Sequence, residues 1–199
     1  MSQTTHYTPK AEYLGAKIKE RMPQRAYRNK NSREKNLNNH FHDGLCLMEA
    51  KGMDRKMKLY EEALQMQDEI VALRREIHRH PEIGRKEFRT SKLIREKLAE
   101  FGVDEIQSPV PTAVIGLIHG GKGTGRCVAL RADIDALPIQ EEEVNGGGHR
   151  KPCVSEAPGG QHACGHDGHM TVGLGTAKIL CELREQLHGT VKFIFQPAE

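Results

Sequence analysis

The sequence predicts an α/β layered domain, and three observations carry that reading. An apolar stripe with helical spacing begins at Leu59. Short apolar runs bounded by glycine lie between Thr112 and Phe195. Helical and strand-like segments alternate through the second part of the 199 residues.

The first helix follows from Leu59, Ala63, Met66, Ile70, Leu73 and Ile77, which repeat at alternating four and three residues. Pro81 ends it, just after His78 and His80. A second helix is expected from Glu87 to Phe101, with Ile94, Leu98 and Phe101 on one face and Gly102 as its stop. The period then shortens. Thr112 to Ile118 reads as a strand, Gly120 to Gly125 as a turn, and Cys127 to Arg131 as a returning strand, so the two are expected to form a hairpin. The glycine-rich link lacks the spacing of a phosphate loop and no helix follows it. Residues 141–161 read as a long polar loop, a length associated with function. A third helix is expected from Gly168 to Leu187, stopped by Gly189, with small residues at Gly168, Gly173, Gly175 and Ala177 for close packing on a sheet. Val191 to Phe195 reads as a buried strand running into Gln196-Pro197-Ala198-Glu199.

Charge divides the chain unevenly. Residues 1–58 hold 13 Lys/Arg against 6 Asp/Glu, a surplus of +7, and the remainder carries −4. Residues 1–52 lack an apolar period and read as a basic, unstructured extension. No aromatic residues interleave with these charges in a stacking pattern, so a solvated tail is preferred to a nucleic-acid arm. The organised part starts at Met53, which is therefore an expected translation start. Five cysteines (Cys46, Cys127, Cys153, Cys164 and Cys181) form no regular framework, and no secretory segment opens the chain. No apolar run is long enough for a bilayer. The expectation is a soluble cytoplasmic protein with no nucleic-acid or membrane partner.

The chemistry concentrates in His162-Ala163-Cys164-Gly165-His166-Asp167-Gly168-His169. A thiolate and an imidazole two residues apart share a side of an extended backbone, and both suit a borderline divalent metal. The positive end of the following helix would favour the Cys164 thiolate. Ordinary loop histidines around a buried cysteine are the plain alternative, and five donor side chains in eight residues outweigh it. A Cys/His nucleophilic pair is a weaker reading. A deaminase-type zinc site is weaker still, because neither H-x-E nor C-x-x-C occurs. Asp133 and Asp135 follow directly on a predicted strand, where α/β sheets place ligands, and suit ligating or supporting roles. Glu199 ends another strand and suits a general base.

Four segments together resemble the M20 metallopeptidase family, in its amidohydrolase branch of hippurate hydrolases, N-acyl-amino-acid amidohydrolases and auxin-conjugate hydrolases. They are Arg75-Glu76-Ile77-His78-Arg79-His80-Pro81-Glu82, Leu130 to Ile139 around Arg131-Ala132-Asp133-Ile134-Asp135, His162 to Met170, and Phe195-Gln196-Pro197-Ala198-Glu199. The resemblance implies a three-layer, mixed-sheet, zinc-peptidase-like catalytic domain over 53–199, present in its N-terminal part only. It implies Cys164 and His166 as ligands of two divalent metal ions (zinc, manganese, cobalt or nickel), Asp135 and Asp133 as supporting residues, and Glu199 as the general base. The implied reaction is hydrolysis of the amide of N-acyl amino acids by general-base activation of a metal-bound water. The family's second glutamate, two further histidine ligands and a lid domain associated with homodimers or homotetramers would follow Glu199. The chain as given is thus expected to be inactive alone, with a non-catalytic metal- or partner-binding protein of the same fold as the alternative. Residues 1–52 have no counterpart in the family, and Gly160-Gln161 departs from its usual Val-Met.

Overall fold

The structure, a computed structural model, describes residues 58–199. The chain divides into two units, Met1–Gly52 and Met53–Glu199. The expected basic extension, Cys46 and the Met53 start lie outside the described residues.

Residues 58–65 are helical, a turn at Met66 interrupts them, and helix α1 spans Gln67–Arg79. The predicted stripe is therefore one line of side chains on two helical pieces, and only Ile77 is fully buried. Helix α2 (Phe88–Glu100) starts where Glu82 accepts hydrogen bonds from the Arg89 and Thr90 backbone N–H groups, satisfying first-turn donors. Ile94 and Leu98 of α2 are wholly buried, and Gly102 follows in the left-handed conformation expected of a C′ glycine.

Four strands form one mixed sheet: β1 (Glu105–Gln107), β2 (Val114–His119), β3 (Cys127–Asp133) and β4 (Thr190–Gln196), in the order β1-β2-β4-β3. Between β3 and β4 runs helix α3 (His166–Glu182), followed by a short 3-10 turn over Arg184–Gln186. The expected β2–β3 hairpin does not form. β4 sits between them, antiparallel to β2 and parallel to β3. The physical reason lies in β4, whose Phe193 and Phe195 are buried on the helix-covered face while Ile194 is half-buried on the other. A strand apolar on both faces is best covered at the centre of a sheet. The glycine-rich link after β2 packs instead against the segment before β4. Gly120 N–H donates to Gly189 O at 2.8 Å and Gly189 N–H donates to Gly123 O at 2.9 Å.

Helices α2 and α3 cover the same sheet face. Their Ile94, Leu98, Met170, Leu174 and Ala177 join Val114, Ile118, Ala132, Phe193 and Phe195 in one cluster. Gly173 lets α3 approach closely, since a Cβ there would stand 3.2 Å from the Phe195 ring. Ile115, Leu117 and Ile194 face the other way and are half-buried. The mixed α/β sheet is as expected, and the described residues supply two of its three layers.

A polar network locks α1 to the start of α3. His78 lies between two carboxylates, with Nδ1 2.8 Å from Asp167 Oδ2 and Nε2 3.1 Å from Glu141 Oε2. Both ring nitrogens face acceptors, so the ring satisfies both only as the imidazolium. Arg74 adds an ion pair to Asp167 at 3.1 Å, and Lys151 and the Ser155 N–H hold Glu141 at 3.0 and 2.7 Å. The Asp167 hydrogen bond, against the opposing effect of burial, raises the His78 pKa above its ordinary 6.5. Burial pushes Glu141 up, but the Ser155 N–H, Lys151 and His78 more than offset it, and its pKa falls below 4.5.

Two outcomes follow. Gly189 has φ +76°, and a Cβ there would collide with the Arg126 carbonyl oxygen. Gly189→Ala should lower stability by about 1–3 kcal/mol or more, read from the urea midpoint. His78, with its raised pKa, stabilises the fold fully below 6.5 and progressively less as pH rises through the folded-state value. The stability lost in His78→Gln should therefore be larger at about pH 6 than at about pH 9 in thermal melts, and an equal loss at both would exclude a charge-based role.

Candidate metal-binding active site

Parallel pairing of β3 and β4 puts their carboxyl ends side by side, with Asp133 opposite Gln196. The crossover helix α3 returns antiparallel to both strands, so its first turn lies at that same end. Three segments distant in sequence thereby meet: Asp133-Ile134-Asp135, His166 to His169, and Gln196 to Glu199.

Gly165 sets how α3 begins. It takes the left-handed conformation at φ +89°, and His166 is already the first helical residue. The expected extended Cys164-Gly165-His166 segment, and a helix starting only at Gly168, give way to this turn. It carries His166 inward, where it is 3% exposed, and leaves Cys164 exposed. A side chain at 165 would find open space but would be strained by its φ.

His166 Nδ1 lies 2.9 Å from the Asp135 carbonyl oxygen and 3.2 Å from Asp135 Oδ1. Nδ1 therefore carries the hydrogen, and Nε2 is left with a free lone pair. That Nε2 is buried and makes no hydrogen bond among the described residues, although Glu199 Oε2 stands 3.2 Å away. Asp133 is buried, its Oδ2 3.5 Å from His169 Nδ1. The His166 and His169 rings stack with centroids 5.4 Å apart. One donor atom from each of Asp133, His166 and His169 falls within 4.8 Å of the others. Two imidazoles and a carboxylate suit a divalent metal, and the orphaned Nε2 is the atom such an ion would satisfy. Asp135 holds the tautomer, as a supporting residue should. Asp133, expected in the same supporting place, and His169, which the sequence left without a role, stand instead within ligand distance of His166. Cys164 lies outside this group.

Arg131 is a site residue the sequence reading passed over. Its guanidinium lies 2.6 Å from Asp133 Oδ1, 3.0 Å from Glu199 Oε1 and 2.8 Å from Gln196 Oε1. The signal was present, because residues 131 and 133 of one strand share a face. The Arg131 hydrogen bond holds the Glu199 carboxyl below the usual carboxylate range. Glu199 is reached through Ala198, which adopts φ +51° while its N–H donates to the wholly buried Glu87. His162 is 5% exposed with both ring nitrogens unpartnered among the described residues, and burial drops its pKa to about 4, so the ring is neutral.

The sequence profile of Peptidase family M20/M25/M40 matches residues 129–199, which hold all of the candidate ligands and the base. An N-acyl-L-amino acid amidohydrolase of Geobacillus stearothermophilus is 43% identical over 135 residues, covering 68% of this chain and 35% of that protein. IAA-amino acid hydrolase ILR1-like 2 of Arabidopsis thaliana is 52% identical over 132 residues, covering 66% and 28%. The fold matches a crystal structure from Bacillus subtilis described as a dinuclear metal binding peptidase from the M20 family, with TM-score 0.61 and 44% identity, covering 68% of this chain and 36% of that one. The chain spans about a third of the length of the curated relatives it matches. Residues 129–199 thus carry the Peptidase family M20/M25/M40 domain, and the chain is similar in sequence and fold to that family's amidohydrolases and peptidases.

Proposed function

We propose that residues 53–199 are the N-terminal part of the catalytic domain of a metal-dependent amidohydrolase that cleaves N-acyl amino acids. One observation carries this reading: a buried imidazole nitrogen with a fixed tautomer and no hydrogen-bond partner among the described residues faces an ionised glutamate at the carboxyl ends of two parallel strands.

The proposed ligands are His166 and Cys164, with Asp133 and His169 close enough to His166 to extend the set. Two divalent ions, drawn from zinc, manganese, cobalt or nickel, would polarise the scissile carbonyl and offset the charge that grows on its oxygen. The chain's own groups do the rest. Asp135 holds His166 with Nε2 inward. Arg131 orients the Glu199 carboxylate and keeps it ionised, the form a base requires. Glu199 accepts a proton from the attacking water and passes it to the departing amine nitrogen. The likeness to amidohydrolases supports an acyl amino acid as substrate. The four described cysteines are free, which supports a reducing, cytoplasmic setting. No helix among the described residues is long and apolar enough to cross a membrane. By analogy with the family, the full-length protein is proposed to form a homodimer or homotetramer.

Elemental analysis tests the metal reading. The 199-residue chain should retain divalent metal, and His166→Ala and Cys164→Ala should each lose it; unchanged content in either variant removes that residue from the ligand set. Hydrolysis also needs the ligands the family supplies after Glu199, so the 199-residue chain should release little or no amino acid from N-acyl substrates. In a form carrying those ligands, Glu199→Gln should keep its metal while kcat falls about 10²–10⁴-fold. A kcat within a few-fold of the parent would reject Glu199 as the base and favour a metal- or partner-binding role for this fold.

A further inference from the structure

A concavity of about 360 Å³ opens beside the His78 network, between α1 and the 141–153 segment, and none of the candidate metal-centre residues lines it. Arg74, Arg75 and Lys151 line it, His78 and Glu141 are its least exposed polar members, and Val71 gives it an apolar flank. Its volume lies within the range of small-molecule sites.

The charges do not balance. The two carboxylates at this place, Glu141 and Asp167, are already saturated. Glu141 receives His78, Lys151 and the Ser155 N–H, and Asp167 receives His78, Arg74 and the Gly168 N–H. Four positive groups (Arg74, Arg75, Lys151 and the doubly bonded His78) therefore meet two negative ones. The surplus donors are specific. Arg75 makes no side-chain ion pair among the described residues, Lys151 spends one of its three N–H bonds on Glu141, and Arg74 reaches Asp167 through NH2 alone. A guanidinium fork beside an ammonium is the chemistry that captures an oxyanion. The Val71 flank favours an oxyanion with a small apolar body over a bare inorganic one.

We propose that this concavity is a binding site for small organic carboxylates, separate from the metal centre. The site does not depend on the amidohydrolase reading, because none of its lining residues belongs to the proposed ligand set.

The test uses the full 199-residue chain stripped of metal by a chelator that is then dialysed away, so that metal-mediated binding is silenced. Sodium butyrate and inorganic phosphate are titrated at constant ionic strength, and amide chemical shifts are followed by NMR. Saturable butyrate binding with Kd on the order of 1 mM is expected, as for a few charge-assisted hydrogen bonds. Phosphate should bind more weakly. Arg75→Gln and Lys151→Gln should each weaken butyrate about fivefold or more. Arg75 is exposed, so its variant should keep the parent melting temperature, whereas Lys151→Gln could loosen Glu141. His166→Ala should leave butyrate affinity within about twofold. Absence of saturation, affinity unmoved by Arg75→Gln, phosphate binding as tight as butyrate, or loss of binding in His166→Ala would each overturn the proposal.

Discussion

The site depends on a carboxylate that takes no part in its chemistry. Asp167 is wholly buried in the first turn of α3, and a charge there is tolerable only because His78, Arg74 and the Gly168 N–H surround it. Asp167 follows His166 directly. Whatever fixes its carboxylate fixes the helical turn from which His166 and His169 project. Removing one partner of such a buried group leaves its charge uncompensated, so the network constrains geometry more than it adds stability. The same histidine secures Glu141 and with it the loop that leads to His162. A single imidazolium therefore joins α1, the long polar loop and α3.

Topology supplies the other half of the arrangement. If β2 and β3 had formed the hairpin their glycine-rich link suggests, β3 would have lacked its parallel neighbour. The ends of β3 and β4 would not then have to coincide. Insertion of β4 between them puts Asp133 opposite Gln196, and the crossover through α3 delivers its N-terminus to the same end. The burial demands of Phe193, Ile194 and Phe195 thus determine that Glu199 meets His166. Sheet packing and site assembly are one constraint seen at two places.

These two facts explain what was legible in the sequence. Helix α2 could be read because its signals are local: Ile94, Leu98 and Gly102 lie within one short window. The donor-rich His162–His169 segment was legible for the same reason. Strand order was not, since a glycine-rich link between apolar runs looks the same whether its strands pair or are parted by a third. The start of α3 was misplaced by two residues because one left-handed glycine decides it. His78 and Glu141 lie 63 residues apart, and only the fold shows that they touch. Arg131 was readable from strand alternation beside Asp133, but a lone arginine next to an acidic pair looks like surface charge until Glu199 is brought to it.

The two sides of the first turn of α3 differ in a way that separates scaffold from site. On the Asp167 side every carboxylate oxygen of Asp167 and Glu141 has a partner, and replacing one of those partners leaves a buried charge at a cost. On the His166 side the polar groups are under-supplied. Nε2 has no hydrogen bond, both nitrogens of His162 lack partners among the described residues, and the carboxylates of Asp133 and Glu199 share one guanidinium. Leaving a buried polar atom unpaired costs about 1–3 kcal/mol, so the fold bears that cost here while avoiding it a few ångströms away. The contrast does not follow burial, because Asp167 and His166 of the same turn are both buried, at 0% and 3% exposure. The His166 Nε2 and the Asp133 carboxylate lie together at the carboxyl ends of β3 and β4, and imidazole with carboxylate is the chemistry of a cation's ligands. A cation bound there would fill the deficit that the protein leaves.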